Sequence, residues 1–382
     1  MIKKSSLVRA AQTAATAVAT KSPQAILTSL VIEAAGGTLR IIGTDLQVAV
    51  RATADFLGTL PRRTVSAKDF VERCRSLPDG DVSLTLDGSA LIMKGGGRRF
   101  SVSTGSADDF PTLPPFDADG TTINAAGLAE VFARGAVSMS MDLTRPHLSG
   151  VMLHSENDST TAITTDGRTM AMAKMKDEAT PGRPIFVPQR GAQLIGKFID
   201  GAESIVISVD GNGSHVVIAR DNATMVARLG DSACEPLRSI ARTMLTQFSE
   251  SNKFIVRTSR AGLIDGVKAI TAAAGEQQIA CVIEAGRIRL VGLTTRGEES
   301  EDAIDAEITD ERRASSSFAS FTVSGDNLAM ILNACDGDEV EIRINGDSNM
   351  EPVVIIGETF RGIVMPIRAE HYDAFVKRVR AA

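Results

Sequence analysis

The fold is decided by a stretch at residues 65–88, VSAKDFVERCRSLPDGDVSLTLDG, because its pattern returns as VPQRGAQLIGKFIDGAESIVISVDG at residues 187–211 and as VSGDNLAMILNACDGDEVEIRING at residues 323–346. In each copy, apolar residues at helical spacing precede a turn, an alternating strand and a second turn that contains glycine. Such a unit predicts a helix whose apolar face packs on a half-buried strand.

A second landmark repeats with nearly the same spacing. An earlier helical pattern places Leu7, Leu128 and Leu263 at equivalent positions, 121 and 135 residues apart, and the copies quoted above begin 122 and 136 residues apart. Two landmarks that shift together indicate repeated domains, because solenoid repeats are only about 20 to 50 residues long. We therefore predict an α+β protein of three domains, each with two helices and about eight strands. The predicted domains span residues 1–119, 120–248 and 249–368, and a C-terminal extension follows at residues 369–382.

The composition is that of a globular protein, with 43% hydrophobic and 23% charged residues among 382. The formal net charge of -6 argues against a general affinity for nucleic acid. A protein that slides on DNA, however, needs basic residues only where it faces phosphates. No apolar run approaches the ~20 residues that span a bilayer, which predicts a cytoplasmic protein. The cysteines Cys74, Cys234, Cys281 and Cys335 are widely spaced, which predicts reduced, buried thiols.

The sequence contains no recognisable catalytic, metal or cofactor motif. It has four histidines and lacks HExxH, GxSxG and a Walker A lysine. His154-Ser155-Glu156 matches the HxE of zinc deaminases, but the PCxxC that completes their site is absent. Asp45 and Asp166 each follow a threonine at a strand end, which is more typical of turn residues than of an acid–base pair. We predict a non-catalytic protein that needs no cofactor or metal, and an enzyme with an unrecognised site is the alternative.

Several segments resemble the bacterial sliding clamp, the beta subunit of the replicative DNA polymerase III holoenzyme. They are LRIIGTDLQVAVR at residues 39–51, RFSVSTGSADDFPTLP at 99–114, TTDGRTMA at 164–171, VPQRG at 187–191 and GIVMPIR at 362–368. The resemblance covers essentially the whole chain. It implies the DNA-clamp fold, with three repeated domains whose helices pack on antiparallel sheets and line the hole of a ring formed by a head-to-tail homodimer. The implied function is to encircle double-stranded DNA without reading its sequence and to tether DNA polymerase to it.

The resemblance and the repeat together place basic residues on the DNA side. Lys21, Lys68 and Arg190 match basic positions of the family, and the other cations lie on the polar faces of the predicted helices. The alternative interpretation is that these cations on exposed helix faces contact only water and bind no DNA. The predicted DNA-binding residues are Lys21, Lys68, Arg73, Arg75, Arg134, Arg190, Lys197, Arg260 and Lys268.

The family also implies a hydrophobic pocket between the second and third domains that accepts short peptides from polymerases and clamp-loader subunits. Small residues and methionine suit such a groove, although Val364 and Met365 are equally typical of a strand core. Family members usually read TDGHRLA where this chain reads TDGRTMA, so Arg168 takes the place of the histidine and Thr169 that of the arginine. The predicted pocket residues are Leu148, Thr165, Gly167, Arg168, Met170, Ile240, Pro352, Val364, Met365, Pro366 and Arg368.

The implied ring closes where the first domain of one subunit meets the third domain of the other. Phe110 matches an interface aromatic of the family, and Ile270, Thr271 and Ala272 are predicted to face it. The extension at residues 369–382 has apolar residues at helical spacing, which predicts a short helix packed on the third domain. A sharper hypothesis is that this extension covers the pocket. Two further alternatives are a specialised paralogue with altered partner preference and a scaffold of the same fold that does not bind DNA.

Overall fold

The computed structural model describes residues 1–156, 158–175, 183–230, 237, 239, 241, 254–274, 278–284, 286–294, 296–310, 319–344 and 351–368. Cys234, Ile240 and the predicted helix of the C-terminal extension lie outside these residues. The described chain forms two compact units. The first unit contains residues 1–129, 183 and 187–230, and the second contains residues 130–175, 184–186 and the described residues from 237 onward.

Six helices are described over their full length, two in each repeat. They are α1 (Lys4–Ala15), α2 (Ala67–Ser76), α3 (Ala125–Gly135), α4 (Gln189–Ile199), α5 (Arg260–Ala273) and α6 (Gly325–Ala334). Short 3-10 helices follow at Ala25–Thr28 and Ala136–Ser138.

Eight strands per repeat are present in the part of the chain that the structure describes. The first repeat has β1 (Ile2–Lys3), β2 (Ser29–Ala35), β3 (Thr38–Thr44), β4 (Val48–Asp55), β5 (Leu60–Ser66), β6 (Asp81–Asp87), β7 (Ala90–Gly95) and β8 (Arg98–Gly105). The second has β9 (Thr121–Asn124), β10 (Gly150–Glu156), β11 (Ser159–Thr165), β12 (Thr169–Met175), β13 (Ile185–Pro188), β14 (Ser204–Val209), β15 (His215–Arg220) and β16 (Ala223–Arg228). The third has β17 (Phe254–Ser259), β18 (Gln278–Glu284), β19 (Arg287–Leu293), β20 (Glu299–Asp310), β21 (Ala319–Ser324), β22 (Glu339–Ile344), β23 (Val353–Ile356) and β24 (Phe360–Val364). The predicted fold class is confirmed, while the domain boundaries stay a prediction.

Each unit contains one twelve-stranded antiparallel sheet. The first sheet has the order β1-β6-β7-β8-β5-β2-β3-β4-β16-β15-β14-β9, and the second has the order β13-β10-β11-β12-β24-β23-β22-β17-β20-β19-β18-β21. The sheets therefore cross from one repeat to the next. β4 of the first repeat pairs with β16 of the second, and β12 of the second pairs with β24 of the third. We call these two pairings the first junction and the second junction.

A serine begins three of the helices. Ser66, Ser259 and Ser324 precede α2, α5 and α6, and each hydroxyl accepts a hydrogen bond from the backbone N–H three residues later. Such caps satisfy donors that a helix start otherwise leaves without partners and typically contribute about 1 kcal/mol. Pro188 stands at the equivalent position before α4 and supplies no side-chain cap.

The helices of the first unit cover one face of its sheet. Leu7 of α1 and Phe70 and Cys74 of α2 are fully buried against alternate residues of the strands. Burial of each large apolar side chain contributes about 1.5–3 kcal/mol. Gly43 in β3 allows α1 to approach closely, because a Cβ there would collide with the carbonyl of Ala14.

Each sheet also carries an apolar cluster on the face opposite its helices, which we call the outer face. On the first sheet this cluster includes Val31, Ile42, Phe110 and Phe116. On the second sheet the alternation is visible in β24, where a Cβ on Gly362 would meet Ile331 of α6 while the next residue belongs to the outer cluster.

Candidate functional site

The two turns that adjoin the junctions have the same hydrogen-bond network. The hydroxyl of Thr44 donates to the carbonyl of Val48 at 2.8 Å, and one carboxylate oxygen of Asp45 accepts from the backbone N–H groups of Gln47 and Val48. Thr165 and Asp166 bond the turn before β12 in the same way. Both aspartates therefore act as turn residues, as the sequence predicts.

The predicted pocket residues lie around the second of these turns. Ten of the eleven are described, and all ten belong to the second unit. The backbone N–H of Met365, just after β24, donates to the carbonyl of Arg168 at 2.8 Å, which fixes the end of β24 against the turn. Gly167, Arg168 and Arg368 are exposed. The half-buried members are Leu148, Met365 and Pro366, and the buried ones are Thr165, Met170, Pro352 and Val364.

The floor beneath this turn is rich in methionine. Leu148 packs on a buried cluster that contains Met152, Met170, Met172 and Ile363. Methionine is unbranched and polarisable, so such a floor can adapt to apolar side chains of different shapes. Val364 is fully buried in β24, which agrees with the interpretation that it belongs to the strand core.

The predicted DNA-binding lysines are exposed. Lys21, Lys68, Lys197 and Lys268 form no ion pair with any other described residue. Arg75 is also exposed and lies beside Gln12 of α1. The four lysines are available to a phosphate without the loss of an ion pair to a described residue, whereas Arg75 donates to the side-chain oxygen of Gln12.

Three of the predicted DNA-binding arginines are engaged inside the protein. Arg73 lies 3.5 Å from the carboxylate of Asp69, one helical turn away. Arg260 donates to the carbonyl of Gly337 at 2.7 Å. Arg190 pairs with the second carboxylate oxygen of Asp45 at 2.6 Å, and its side chain is 34% exposed.

Arg134 is the most enclosed of the predicted DNA-binding residues. Its side chain is 14% exposed, and the guanidinium lies 3.0 Å from the carboxylate of Asp336 and donates to the carbonyl of Ala334 at 2.8 Å. It also donates to the hydroxyl of Thr359 at 2.9 Å and lies 5.5 Å above the ring of Phe360. This arginine therefore supports the fold, and the sequence did not separate it from the exposed cations.

Asp336, the main partner of Arg134, has a perturbed pKa. Burial acts to raise the pKa of the Asp336 carboxyl, but hydrogen bonds from the hydroxyl and N–H of Thr359 and the charge of Arg134 outweigh it, so the pKa lies below its ordinary value. The ionised carboxylate of Asp336 is therefore the form that pairs with Arg134 and accepts the hydrogen bonds from Thr359 in the second unit.

The structure also shows an exposed basic residue, Arg9, that is absent from the DNA-binding residues predicted from the sequence. Arg9 lies on the exposed side of α1 and lines a cavity of ≈190 Å³ together with Lys3, Thr13 and Arg220. The sequence pattern of α1 could have predicted this exposure. Arg9 follows the buried Leu7 by two residues, which places it on the polar face of the helix.

The predicted interface residues are mostly buried within the single chain. Phe110 is 7% exposed and packs in the outer cluster of the first sheet. Ile270 and Thr271 are buried in α5, where the hydroxyl of Thr271 donates to the carbonyl of Val267. Ala272 is exposed, so among these four it offers the most accessible surface.

The described cysteines are shielded from solvent. Cys74, Cys281 and Cys335 are buried free thiols, and desolvation raises the pKa of each; for Cys335 the value reaches about 11. Among the described residues, no three His, Cys, Asp or Glu side chains form a group that could hold a metal ion. No helix among them is long and apolar enough to span a membrane.

Comparison with known proteins agrees with this architecture. Residues 1–114 match the family model of the DNA polymerase III beta subunit N-terminal domain, and residues 122–234 match the model of its central domain. A beta sliding clamp from Proteus mirabilis is 24% identical over 351 residues, 90% of this chain and 92% of that protein. One from Pseudomonas putida is 24% identical over 377 residues, 96% of this chain and 99% of that protein.

Solved structures show the same fold. A putative DNA polymerase III beta subunit from Eubacterium rectale gives a TM-score of 0.86 at 21% identity, over 96% of this chain and 99% of that chain. A DNA polymerase sliding clamp from Caulobacter crescentus gives a TM-score of 0.84 at 20% identity, over the same shares of the two chains.

Proposed function

The chain belongs to the DNA polymerase III beta subunit family of bacterial sliding clamps, and on that premise we propose that two copies close into a ring that encircles double-stranded DNA and holds DNA polymerase on it. The role is non-catalytic and cytoplasmic. The observation that carries the proposal is the repeated junction. β4 pairs with β16 and β12 pairs with β24, so the fourth strand of one repeat joins the last strand of the next at both junctions.

If the third repeat of one chain pairs in the same way with the first repeat of another chain, a third junction forms between the two chains. The fourth strand of the third repeat is β20, and the last strand of the first repeat is β8. Within the described chain, β5 pairs only with Thr104 and Gly105 of β8, and β17 pairs only with residues 306–310 of β20. Residues 98–103 of β8 and residues 299–305 of β20 therefore each keep one unpaired edge among the described residues. When β20 of one chain pairs with β8 of another, head to tail and at both ends, the assembly closes with two-fold symmetry and leaves no further edge of this type.

The charges of these two strands favour the pairing. Arg98 and Arg99 of β8 are exposed, and β20 exposes Glu301, Asp302 and Asp305. Opposite charges on facing strands stabilise a pair and disfavour incorrect partners. This agrees with the prediction that the ring closes between the first and third domains.

The interface residues fit the same scheme by their position in the repeat. Ala272 in α5 is the counterpart of Thr16 after α1, and Lys68 is the counterpart of Arg190. Arg190 donates to the carbonyl of Thr16 at 3.2 Å inside the first unit. In the proposed ring Lys68 of one chain approaches Ala272 of the other, with Ile270, Thr271 and Phe110 as supporting residues.

DNA is held through weak, exposed contacts. The available cations are Lys21, Lys68, Arg75, Lys197 and Lys268, together with Arg9. Contacts from such cations to phosphates carry no information about the base sequence. Arg73, Arg190 and Arg260, which are engaged in internal bonds, contribute to the positive electrostatic potential. Arg134 is not among the residues that we propose to contact DNA. Phosphate contacts of this kind are independent of sequence and weaken with salt.

The pocket beside the second junction is the proposed docking site for polymerase and clamp-loader peptides. Its methionine floor is buried while Gly167, Arg168 and Arg368 are exposed at its rim. The rim departs from the family's usual residues, and the hydroxyl and N–H of Thr169 donate to Asp166. These departures support altered partner preference, as in the specialised-paralogue alternative.

Topological retention tests the function. The chain is placed on a closed circular plasmid by a bacterial clamp loader with ATP, separated from free protein at high salt, and then treated with a restriction enzyme that cuts the plasmid once. A ring stays on the circle and leaves after linearisation, because no local contact survives the salt. Equal retention on both forms, or none on either, contradicts the proposal.

A charge reversal sharpens this test. Arg98→Glu with Arg99→Glu places like charges on the proposed closing edge and is expected to abolish retention on the circle. Arg62→Glu is the matched control, because Arg62 is also an exposed cation and its strand β5 pairs with β8 only through Thr64 and Val65, which lie opposite Gly105 and Thr104 beyond residues 98–103. If both variants behave alike, β8 is not the closing strand.

A further inference from the structure

One cation lies among apolar side chains on the outer face of the second sheet. Arg361 of β24 is paired across strands with Met172 on one side and with Ile356 on the other, and Met172 is paired in turn with Ile163. Met172 and Ile163 belong to the outer cluster, and Ile356 packs against it. Because cross-strand partners project from the same face of a sheet, the guanidinium of Arg361 stands in an apolar row.

Arg361 is exposed and has no hydrogen-bond or ion-pair partner among the described residues. The nearest acid in the same row is Glu341, one strand beyond Ile356. Its carboxylate is already held by Arg257 at 3.0 Å and by Arg343 at 2.6 Å. Lys174, two residues beyond Met172 on β12, adds a second exposed cation to this face. The face therefore combines an apolar floor with positive charge that the described chain does not neutralise.

The first junction shows how an arginine in the equivalent cross-strand pair is covered elsewhere in the chain. That pair is Arg51 with Thr224, in which Arg51 of β4 takes the place of Met172 and Thr224 of β16 takes the place of Arg361. The guanidinium of Arg51 lies 4.8 Å above the ring of Phe116 and donates to the Phe116 carbonyl at 3.3 Å. Burial lowers the pKa of Arg51, and the charge of Asp117 opposes that effect.

The segment that covers Arg51 has a distinct chemistry. Residues 108–119, DDFPTLPPFDAD, combine two aromatic anchors with four aspartates. Phe110 and Phe116 fill the outer cluster of the first sheet, so this segment satisfies both the apolar floor and the arginine. On the second sheet, Leu237 and Ala241 reach the corresponding cluster, yet Arg361 stays exposed.

We infer that the outer face around Arg361 and Lys174 selects partner proteins whose docking segment is acidic and carries an apolar anchor, as residues 108–119 do at the first junction. The inference rests on the proposed function, because it names the chemistry of the partner at the peptide pocket. The apolar anchor enters the methionine floor, and a carboxylate next to it meets Arg361. A guanidinium beside an aromatic ring and a carboxylate gains from both contacts.

The test compares two synthetic peptides by fluorescence anisotropy. One has the sequence of residues 108–119, and in the other all four aspartates are asparagines. The full-length chain is expected to bind the acidic peptide about three- to tenfold more tightly at low salt, which is the range for a partly exposed ion pair with a ring contact. Arg361→Gln is expected to remove this preference while Arg62→Gln preserves it.

The result that overturns the inference is equal affinity for the two peptides, or a preference that survives in Arg361→Gln. No binding of either peptide also overturns it. Binding that occurs only after removal of residues 369–382 assigns the face to that extension instead of to a partner. Retention on circular DNA is scored separately, so a retained ring with no acidic preference refutes this inference alone, and loss of retention refutes the proposed function.

Discussion

The first and second junctions share their strand pairing and their turn network, but they differ in the arginine that reinforces them. At the first, Arg190 in the first turn of α4 reaches Asp45 and the carbonyl of Thr16. At the second, Arg134 in the last turn of α3 reaches Asp336 and the carbonyl of Ala334. The backbone conformation is the same at both turns, where the same hydrogen bonds fix it, whereas the arginine side chains that connect neighbouring repeats differ.

The burial of each arginine side chain predicts how much stability is lost when that arginine is replaced. The side chain of Arg134 is 14% exposed and that of Arg190 is 34% exposed. The partner carboxylates rank in the opposite order, with 23% exposure for Asp336 and 13% for Asp45. The larger penalty at Arg134 therefore comes from the greater burial of the arginine itself and from its additional bonds to Ala334 and Thr359. The two junctions are therefore expected to respond unequally to the same substitution.

Arg134→Ala gives the largest expected effect. It leaves the carboxylate of Asp336 half-buried without its cation and removes bonds to Thr359 and Ala334. We expect the free energy of unfolding of the second unit to fall by about 3 kcal/mol. Differential scanning calorimetry measures this change in stability. A loss no greater than that of Arg190→Ala would contradict the expectation that the second junction depends more on its arginine than the first.

Phe116→Ala tests the outer face of the first junction. Phe116 is 9% exposed, and its ring and carbonyl both contact Arg51. Because the residue lies in a connecting segment that can relax, we expect a loss of about 2 kcal/mol, below the range for a deeply buried phenylalanine. Phe116→Leu is the matched control and should restore most of the stability, which chemical denaturation can show.

Arg190→Ala is expected to cost about 1 kcal/mol. Asp45 keeps its bonds from the N–H groups of Gln47 and Val48, so the turn survives without the arginine. Hydrogen exchange of the β3–β4 turn should therefore stay close to that of the wild type. Strongly accelerated exchange there would show that the ion pair, and not the backbone network, holds the turn.

The pH dependence of the second junction is the smallest of these effects. The folded pKa of Asp336 lies below its ordinary value, so its contribution to stability is present above the unfolded pKa of about 3.9 and is lost as the pH falls through the lower folded pKa. Asp336→Asn should flatten the dependence of the free energy of unfolding on pH below about pH 4. An unchanged slope would mean that other carboxyls dominate acid unfolding.

Sequence reasoning recovered what periodicity controls. Helical spacing around Leu7 and Phe70 predicted buried helices, and the Thr-Asp pairs predicted the turns. It did not separate exposed Lys197 from engaged Arg134, because both occupy the last turn of a helix and only neighbours distant in sequence distinguish them. It missed Arg361 for the same reason, since the apolar row around it is assembled from strands far apart in the chain.

Cryo-electron microscopy of the chain loaded on DNA can show directly how two chains join. We predict a closed ring of two chains around the duplex, with β20 of each paired antiparallel to β8 of the other. Particles with one chain, or two chains joined through any other surface with β8 and β20 exposed to solvent, would contradict it.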